Sequence, residues 1–247
     1  MKVAQHVYGL HAVASLIANR PESVATLSVA EGAVDRRLEG LLEQAASARI
    51  PVTRMARAEL DRLFPGGRHQ GVIATLQGRV RTWTEADLPV LLTDRDEPAF
   101  LLVLDGVQDP HNLGACLRTA DAAGVHAVIL PRDRAVGVTP VVHKVASGAV
   151  DSVPLVTVTN LARTLRRLRE VGIWIYGTDD VGGQDLYTAD LSGPAAFVLG
   201  AEGRGMRRLT REHCDYLLTI PMAGQVSSLN VSVAAGVLLF EALRQRR

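Results

Sequence analysis

Phe100-Leu101-Leu102-Val103-Leu104 is an unbroken apolar run closed by a single carboxylate, Asp105. A strand with one wet face alternates apolar and polar residues. A strand without alternation must be covered on both faces, as in parallel sheets flanked by helices. The residues after it continue in that vein. Helical spacing covers Leu113 to Ala123 and stops at Gly124, and His126 to Leu130 reads as a strand. Thr139 to Ala146 reads as a helix, Val153 to Val158 as a strand, and Thr159 to Val171 as a helix. Ile173 to Gly177 and Ala195 to Leu199 read as strands, followed by a helix from Met206 to His213. A strand from Tyr216 to Ile220 and a helix from Val231 to Arg244 close the chain. This alternation predicts an α/β fold, a parallel sheet with helices on both faces.

A smaller α/β pattern precedes it. Helices are expected over Gly9 to Asn19, from an Asp35 cap to about Ala48, and over Arg57 to Phe64; strands over Val24 to Ala30, Pro51 to Arg54 and Gly71 to Leu76. Gln77 to Glu97 is polar, with room for a helical turn or two between Thr84 and Leu92. The expected organisation is a first domain at 1–77, a linker at 78–97 and the sheet domain at 98–247.

Charge narrows the function little. The net charge is +1, but residues 1–81 carry 11 basic and 7 acidic side chains, against 16 and 19 in 82–247. A mildly basic front part suits a polyanion and equally suits an ordinary solvated surface. The two cysteines define no disulfide framework, and no His/Cys cluster has metal-ligand spacing, so no metal is expected. No signal-peptide pattern or membrane-length apolar run is present, so the chain reads as cytoplasmic.

Ligands of open α/β sheets bind beyond the carboxyl ends of the strands. Three loops leave such ends with unusual residues: Asp105 to Gly114, with Arg118 further along the helix; Gly200 to Met206; and Ile220 to Ser232. The first loop lacks GxGxxG, and no Lys-Ser/Thr pair follows a glycine loop, which argues against dinucleotide and P-loop nucleotide binding. In the third loop, Pro221 ends the strand and Ser228 or Asn230 can cap the helix that follows.

Asn112-x-Gly114-x-x-x-Arg118, Gly200-x-Glu202-Gly203-x-Gly205 and Ile220-Pro221-Met222 with Ser228-Leu229-Asn230-Val231-Ser232 resemble the three motifs of the SpoU (TrmH) family of RNA 2′-O-ribose methyltransferases. Tyr8 to Val13 and His69 to Ala74 resemble that family's N-terminal RNA-binding domain, a ribosomal-protein-like (L30e/L7Ae-type) α/β unit. The resemblance covers nearly the whole chain. It implies S-adenosylmethionine as methyl donor, ribosomal RNA as substrate and a homodimer formed through the C-terminal domain. It also implies a SPOUT-type trefoil knot, with the C-terminal region tucked through a loop, which ordinary connectivity rules would not propose.

The resemblance assigns roles. Gly200, Gly205, Ile220, Met222 and Leu229 become cofactor positions, several acting through backbone; plain core packing is the alternative for Ile220 and Leu229. Arg118 is the family's catalytic residue. Because a guanidinium stays protonated in proteins, it is better suited to clamp a phosphate beside the ribose and stabilise a developing alkoxide than to act as a base. Asn112 would orient Arg118 or the ribose hydroxyl, or cap its helix. Glu202 would accept the proton or pair with Arg118, and Ser228 and Asn230 would hold the loop, touch RNA or cap the last helix. His111 beside Pro110 reads as structural. Weaker RNA candidates are Arg54, Arg57, Arg68 and His69 in the front domain, and Arg132, Arg134, His143 and Lys144 around one later loop. The final helix carries Val233, Val237, Phe240 and Leu243 as an apolar stripe, which is either core or, by the resemblance, part of the dimer contact. An aromatic content of 4% argues against an RRM-type stacking sheet. Two rivals stay open: a transfer-RNA methyltransferase, and a non-catalytic RNA-binding ribosome-assembly factor.

Overall fold

The computed structural model describes residues 6–32, 35–63, 69–76, 83–93, 97–180, 182–201 and 203–247. In chain order the elements begin with β1 (His6–Tyr8), α1 (Leu10–Asn19), β2 (Val24–Ala30), α2 (Arg36–Ser47), β3 (Val52–Met55), α3 (Arg57–Leu63) and β4 (Val72–Leu76). Next come β5 (Trp83–Thr84), α4 (Leu88–Thr93), β6 (Phe100–Asp105), α5 (Pro110–Ala123), β7 (Ala127–Pro131), α6 (Pro140–Ala146), α7 (Ala149–Ser152), β8 (Leu155–Val158) and α8 (Leu161–Glu170). The last are β9 (Trp174–Thr178), β10 (Gln184–Asp185), β11 (Ala195–Gly200), α9 (Arg208–Glu212), β12 (Tyr216–Thr219) and α10 (Val231–Gln245).

The chain forms two compact units, 1–81 with 138–152, and 82–137 with 153–247. In the first, four strands pair in the order β1-β4-β2-β3, parallel only between β2 and β3. Helix α1 buries Ala12, Val13, Leu16 and Ile17 at helical spacing. The Asp35 carboxylate accepts the Arg37 and Leu38 backbone N–H groups and so starts α2. Helices α6 and α7 belong to this unit, where Asp151 pairs with Arg20 of the α1 end.

In the second unit all eight strands are parallel, in the order β10-β12-β9-β11-β6-β7-β8-β5. All six residues of β6 are buried, which is the double coverage its sequence demanded. One face sets Leu101, Val103, Ile129 and Val198 against Leu161, Leu165 and Leu168 of α8. By strand alternation Leu102, Leu104 and Phe197 point the other way. Helix α10 packs on α5 and β11. The end of α10 is fastened by Arg246, whose guanidinium lies 4.4 Å from the Phe100 ring centroid and donates to the Gly193 and Leu191 carbonyls at 2.6 and 3.1 Å.

The units differ from the expected 1–77, 78–97 and 98–247. The stretch 83–93 belongs to the second unit, because Trp83, Leu88, Leu91 and Leu92 pack against its core and β5 pairs with β8. The segment 138–152 groups with the first unit. Elements β1, β10 and α7 were not legible, being two to four residues long and so too short for a period. Among the described residues, no helix is long and apolar enough to cross a membrane.

Candidate functional site

Register sets the site. Gly200 pairs with Asp105, Val198 with Gly177 and Leu218 with Thr178, so β6, β11, β9 and β12 end on one rim. Two adjoining cavities open there. The first, about 440 Å³, lies between the loops after β9, β11 and β12. Gly200, Gly205, Ile220, Met222 and Leu229 all line it, and so does Ser228. Positions drawn from two separate motifs therefore meet in one space.

The backbone explains the glycine at 200. A Cβ there would stand 2.0 Å from the Gly205 carbonyl carbon and 2.2 Å from the Met206 nitrogen, distances no side chain can occupy. The turn comes back so closely because Ala201 and Gly205 exchange backbone hydrogen bonds of 2.9 and 3.2 Å. Gly205 takes φ 63°, left-handed backbone that suits glycine. The turn is then tied down by Asp105. Its buried carboxylate accepts the Arg207 backbone N–H at 2.9 Å and the Arg207 Nε–H at 2.6 Å. On the β9 side, the Asp179 carboxylate pairs with Arg211 at 2.6 Å and Asp179 also lines the cavity.

The second cavity, about 380 Å³, lies between the loops after β6, β7 and β11. Gln108, Asp109, Asn112 and Arg134 line it, and it shares Ala201, Arg204, Gly205, Met206 and Val231 with the first. Asp109, not Asn112, caps α5, with the His111 N–H 3.0 Å from its carboxylate and Pro110 at the first helical position. Asn112, one turn in, accepts a 3.0 Å hydrogen bond from the Asn230 side-chain amide. Asn230 in turn caps α10, accepting the Ser232 N–H at 2.9 Å. The two asparagines thus join the first and third motifs.

Other expected residues stand elsewhere. Arg118 is exposed, six residues beyond Asn112 and about 9 Å along the axis of α5, and lines neither cavity. Glu202 and Arg68 lie outside the described residues. His69 is not available to RNA: its ring is buried, Nδ1 accepts the Gly71 N–H at 3.0 Å and Nε2 meets Asp61 at 2.9 Å. His143 is likewise buried, and burial together with the Arg20 charge lowers its pKa to about 4. It is an uncharged core residue in the first unit rather than a cationic contact. Arg132 and Arg134 are exposed in the second unit, whereas the exposed Lys144 belongs to the first, so the later basic cluster is divided between the units. Arg54 and Arg57 are exposed on β3 and α3.

Asp105, Asp179, Arg204 and Arg207 were missed as site residues. The one available signal was the charge of Asp105 at the end of an otherwise apolar run. Chemically, the rim offers backbone donors, amide side chains and guanidinium groups. Burial pushes Cys116 and Cys214 up to about 12, which removes both thiols as nucleophiles. Among the described residues, no group of three His, Cys, Asp or Glu side chains is placed to hold a metal ion.

The profile described as SpoU rRNA Methylase family matches residues 99–240, and that described as RNA 2′-O ribose methyltransferase substrate binding matches 6–79. The chain is 53% identical over 247 residues to the 23S rRNA (guanosine-2′-O-)-methyltransferase RlmB of Pseudomonas putida, covering 100% of this chain and 99% of the relative. It is 52% identical over 244 residues to the protein of that name from Escherichia coli K12, covering 99% and 100%. Among solved structures it resembles the SpoU methyltransferase AviRb from Streptomyces viridochromogenes in complex with the cofactor AdoMet. The TM-score is 0.79 at 28% identity, over 98% of this chain and 90% of that one.

Proposed function

The chain belongs to the SpoU rRNA Methylase family, and on that footing we propose that it methylates the 2′-oxygen of a guanosine ribose in 23S ribosomal RNA, with S-adenosylmethionine as methyl donor. One observation carries the reading beyond its relatives: Gly200, Gly205, Ile220, Met222 and Leu229 line a single cavity at the carboxyl ends of the strands.

The residues present fit the donor. The close turn at Gly200 leaves backbone polar groups on the cavity wall, Leu218, Ile220, Met222 and Leu229 offer apolar flanks for a purine, and Thr178 and Asp179 offer polar contacts. When bound, S-adenosylmethionine supplies a methyl group on a positively charged sulfur. The chain must then hold a ribose hydroxyl in line with it, exclude water and dispose of a proton. Asn112, fixed by Asn230, orients the ribose hydroxyl. Glu202 receives the proton or pairs with Arg118, and Ser228 steadies the donor loop. The intact asparagine link and donor cavity favour an enzyme over a non-catalytic binder. Relatives with ribosomal RNA in their names, matched along the whole chain, favour that substrate over transfer RNA.

Finer features follow from the same reading. The first unit is an L30e/L7Ae-type domain that engages the RNA, and the second unit is a knotted SPOUT domain. The homodimer forms through α10, which exposes about half of Val233 and of Phe240, seven residues apart on its surface. The enzyme works in the cytoplasm, where bacterial ribosomal RNA is made. Mapping ribose methylation in 23S ribosomal RNA from a strain lacking the protein tests the substrate: one guanosine should lose its methyl group, and an unchanged map would refute the assignment.

A further inference from the structure

Arg134 and Arg204 face the second cavity from two different loops, and neither guanidinium has an ion-pair or hydrogen-bond partner among the described residues. Two other charges there are engaged with each other: Asp105 holds Arg207. Asp109 turns one oxygen to the His111 N–H at the start of α5. Arg134 also holds φ 61°. An L-residue keeps that conformation only where its surroundings impose it. Three other described non-glycine residues share it, and each stands at the border of a local element. Arg49 follows α2, Ser147 caps α6, and Gln70 turns into β4 while its side chain accepts the Leu10 N–H. Arg134 closes no element. Its loop is pinned to the β6 loop by the Val136 N–H on the Val107 carbonyl, 3.0 Å, and so presents Arg134 to the cavity.

We infer that the second cavity receives the acceptor nucleotide and that Arg134 and Arg204 grip the phosphodiester groups on its two sides. The inference rests on the methyltransferase reading above. A nucleotide inside a strand carries a phosphate both 5′ and 3′ of its ribose, so guanidinium groups on two loops match it better than one. The guanidinium fork suits phosphate oxygens in pairs. The cavity shares Ala201, Gly205, Met206 and Val231 with the donor cavity, so a ribose held here stands next to the donor. Such contacts fix register and are blind to base identity, so guanine selectivity must come from elsewhere.

Arg204 also lines the donor cavity, so Arg134 gives the cleaner test. Arg134→Gly removes the charge and tolerates the left-handed backbone, whereas Arg134→Lys keeps the charge and loses the fork. Full-length protein would be titrated with unmethylated 23S ribosomal RNA across a range of KCl concentrations, and separately with S-adenosylmethionine. Arg134→Gly should weaken RNA binding by about tenfold and lower the slope of log Kd against log salt by about 0.7, the loss of one phosphate contact on a single strand. Cofactor affinity should not move, and Arg134→Lys should recover the slope but not the whole affinity. Adding Arg204→Ala should roughly double the change in slope. An unchanged RNA affinity, or a loss of affinity with the slope intact, would overturn the clamp. A wild-type chain that binds RNA but transfers no methyl group would instead overturn the methyltransferase reading, and the binding titrations would still decide on the clamp.

Discussion

Asp105 ends a strand with no water on either face, and its side chain is wholly enclosed. Its job is to hold Arg207, and through it the turn that separates the two cavities. Asp105→Asn keeps the shape and removes the charge. Because the Arg207 side chain remains 42% exposed, water partly replaces the lost partner. The cost should be about 1–2 kcal/mol, below that of breaking a fully buried pair. Chemical denaturation should read that loss, and calorimetry should read weaker S-adenosylmethionine binding as the turn loosens. A second residue-scale test concerns pH. Burial, then the neighbouring Arg20, keeps His143 neutral down to about pH 4, while in the unfolded chain it takes a proton near 6.5. The unfolded state therefore binds more protons between those values, so stability falls as pH drops from 6.5 and levels off below about 4. The fall should approach 3 kcal/mol. Unfolding midpoints measured across that window should flatten in His143→Gln relative to the parent.

At the scale of elements, the rim is a product of strand register and of one turn that admits no side chain at its base. Gly200→Ala would drive a Cβ into the Gly205 and Met206 backbone. The turn must shift, with a stability cost of about 1–3 kcal/mol and a larger loss of cofactor affinity. Calorimetry against S-adenosylmethionine should show binding reduced at least tenfold, while thermal melts show a fold that survives. How much of this was legible in the sequence differs by element. Strands β6, β7, β9 and β11 were readable because burial on both faces makes an apolar run. Helices α2 and α10 were readable from their caps, Asp35 and Asn230. The start of α5 was read three residues late, because Pro110 and Asn112 obscured the Asp109 cap. Strand β10, with Gln184 and Asp185, has no pattern to read. The donor cavity was legible only through the motifs of a family: nothing in the spacing of Gly200 and Ile220 says that their strands end side by side. Arg204 and Asp179 carried no such mark and appear only once the loops are folded together.

For the whole molecule, the proposed function makes the rim of the second unit the place where a methyl donor and a ribose meet. The first unit brings mild positive charge, and its expected histidine contact proves to be a buried structural residue. Folding brings the five positions expected to hold the donor to one cavity and puts Asn112 beside Asn230, but leaves Arg118 outside both cavities. The most direct test of the central claim is methyl transfer itself. Purified full-length protein would be incubated with isotopically labelled S-adenosylmethionine and 23S ribosomal RNA from a strain lacking the protein, and the RNA digested and mapped by mass spectrometry. One labelled 2′-O-methylguanosine is expected, absent with Gly200→Ala. Label on a base, on a ribose other than guanosine, or nowhere in the RNA despite cofactor binding would contradict it.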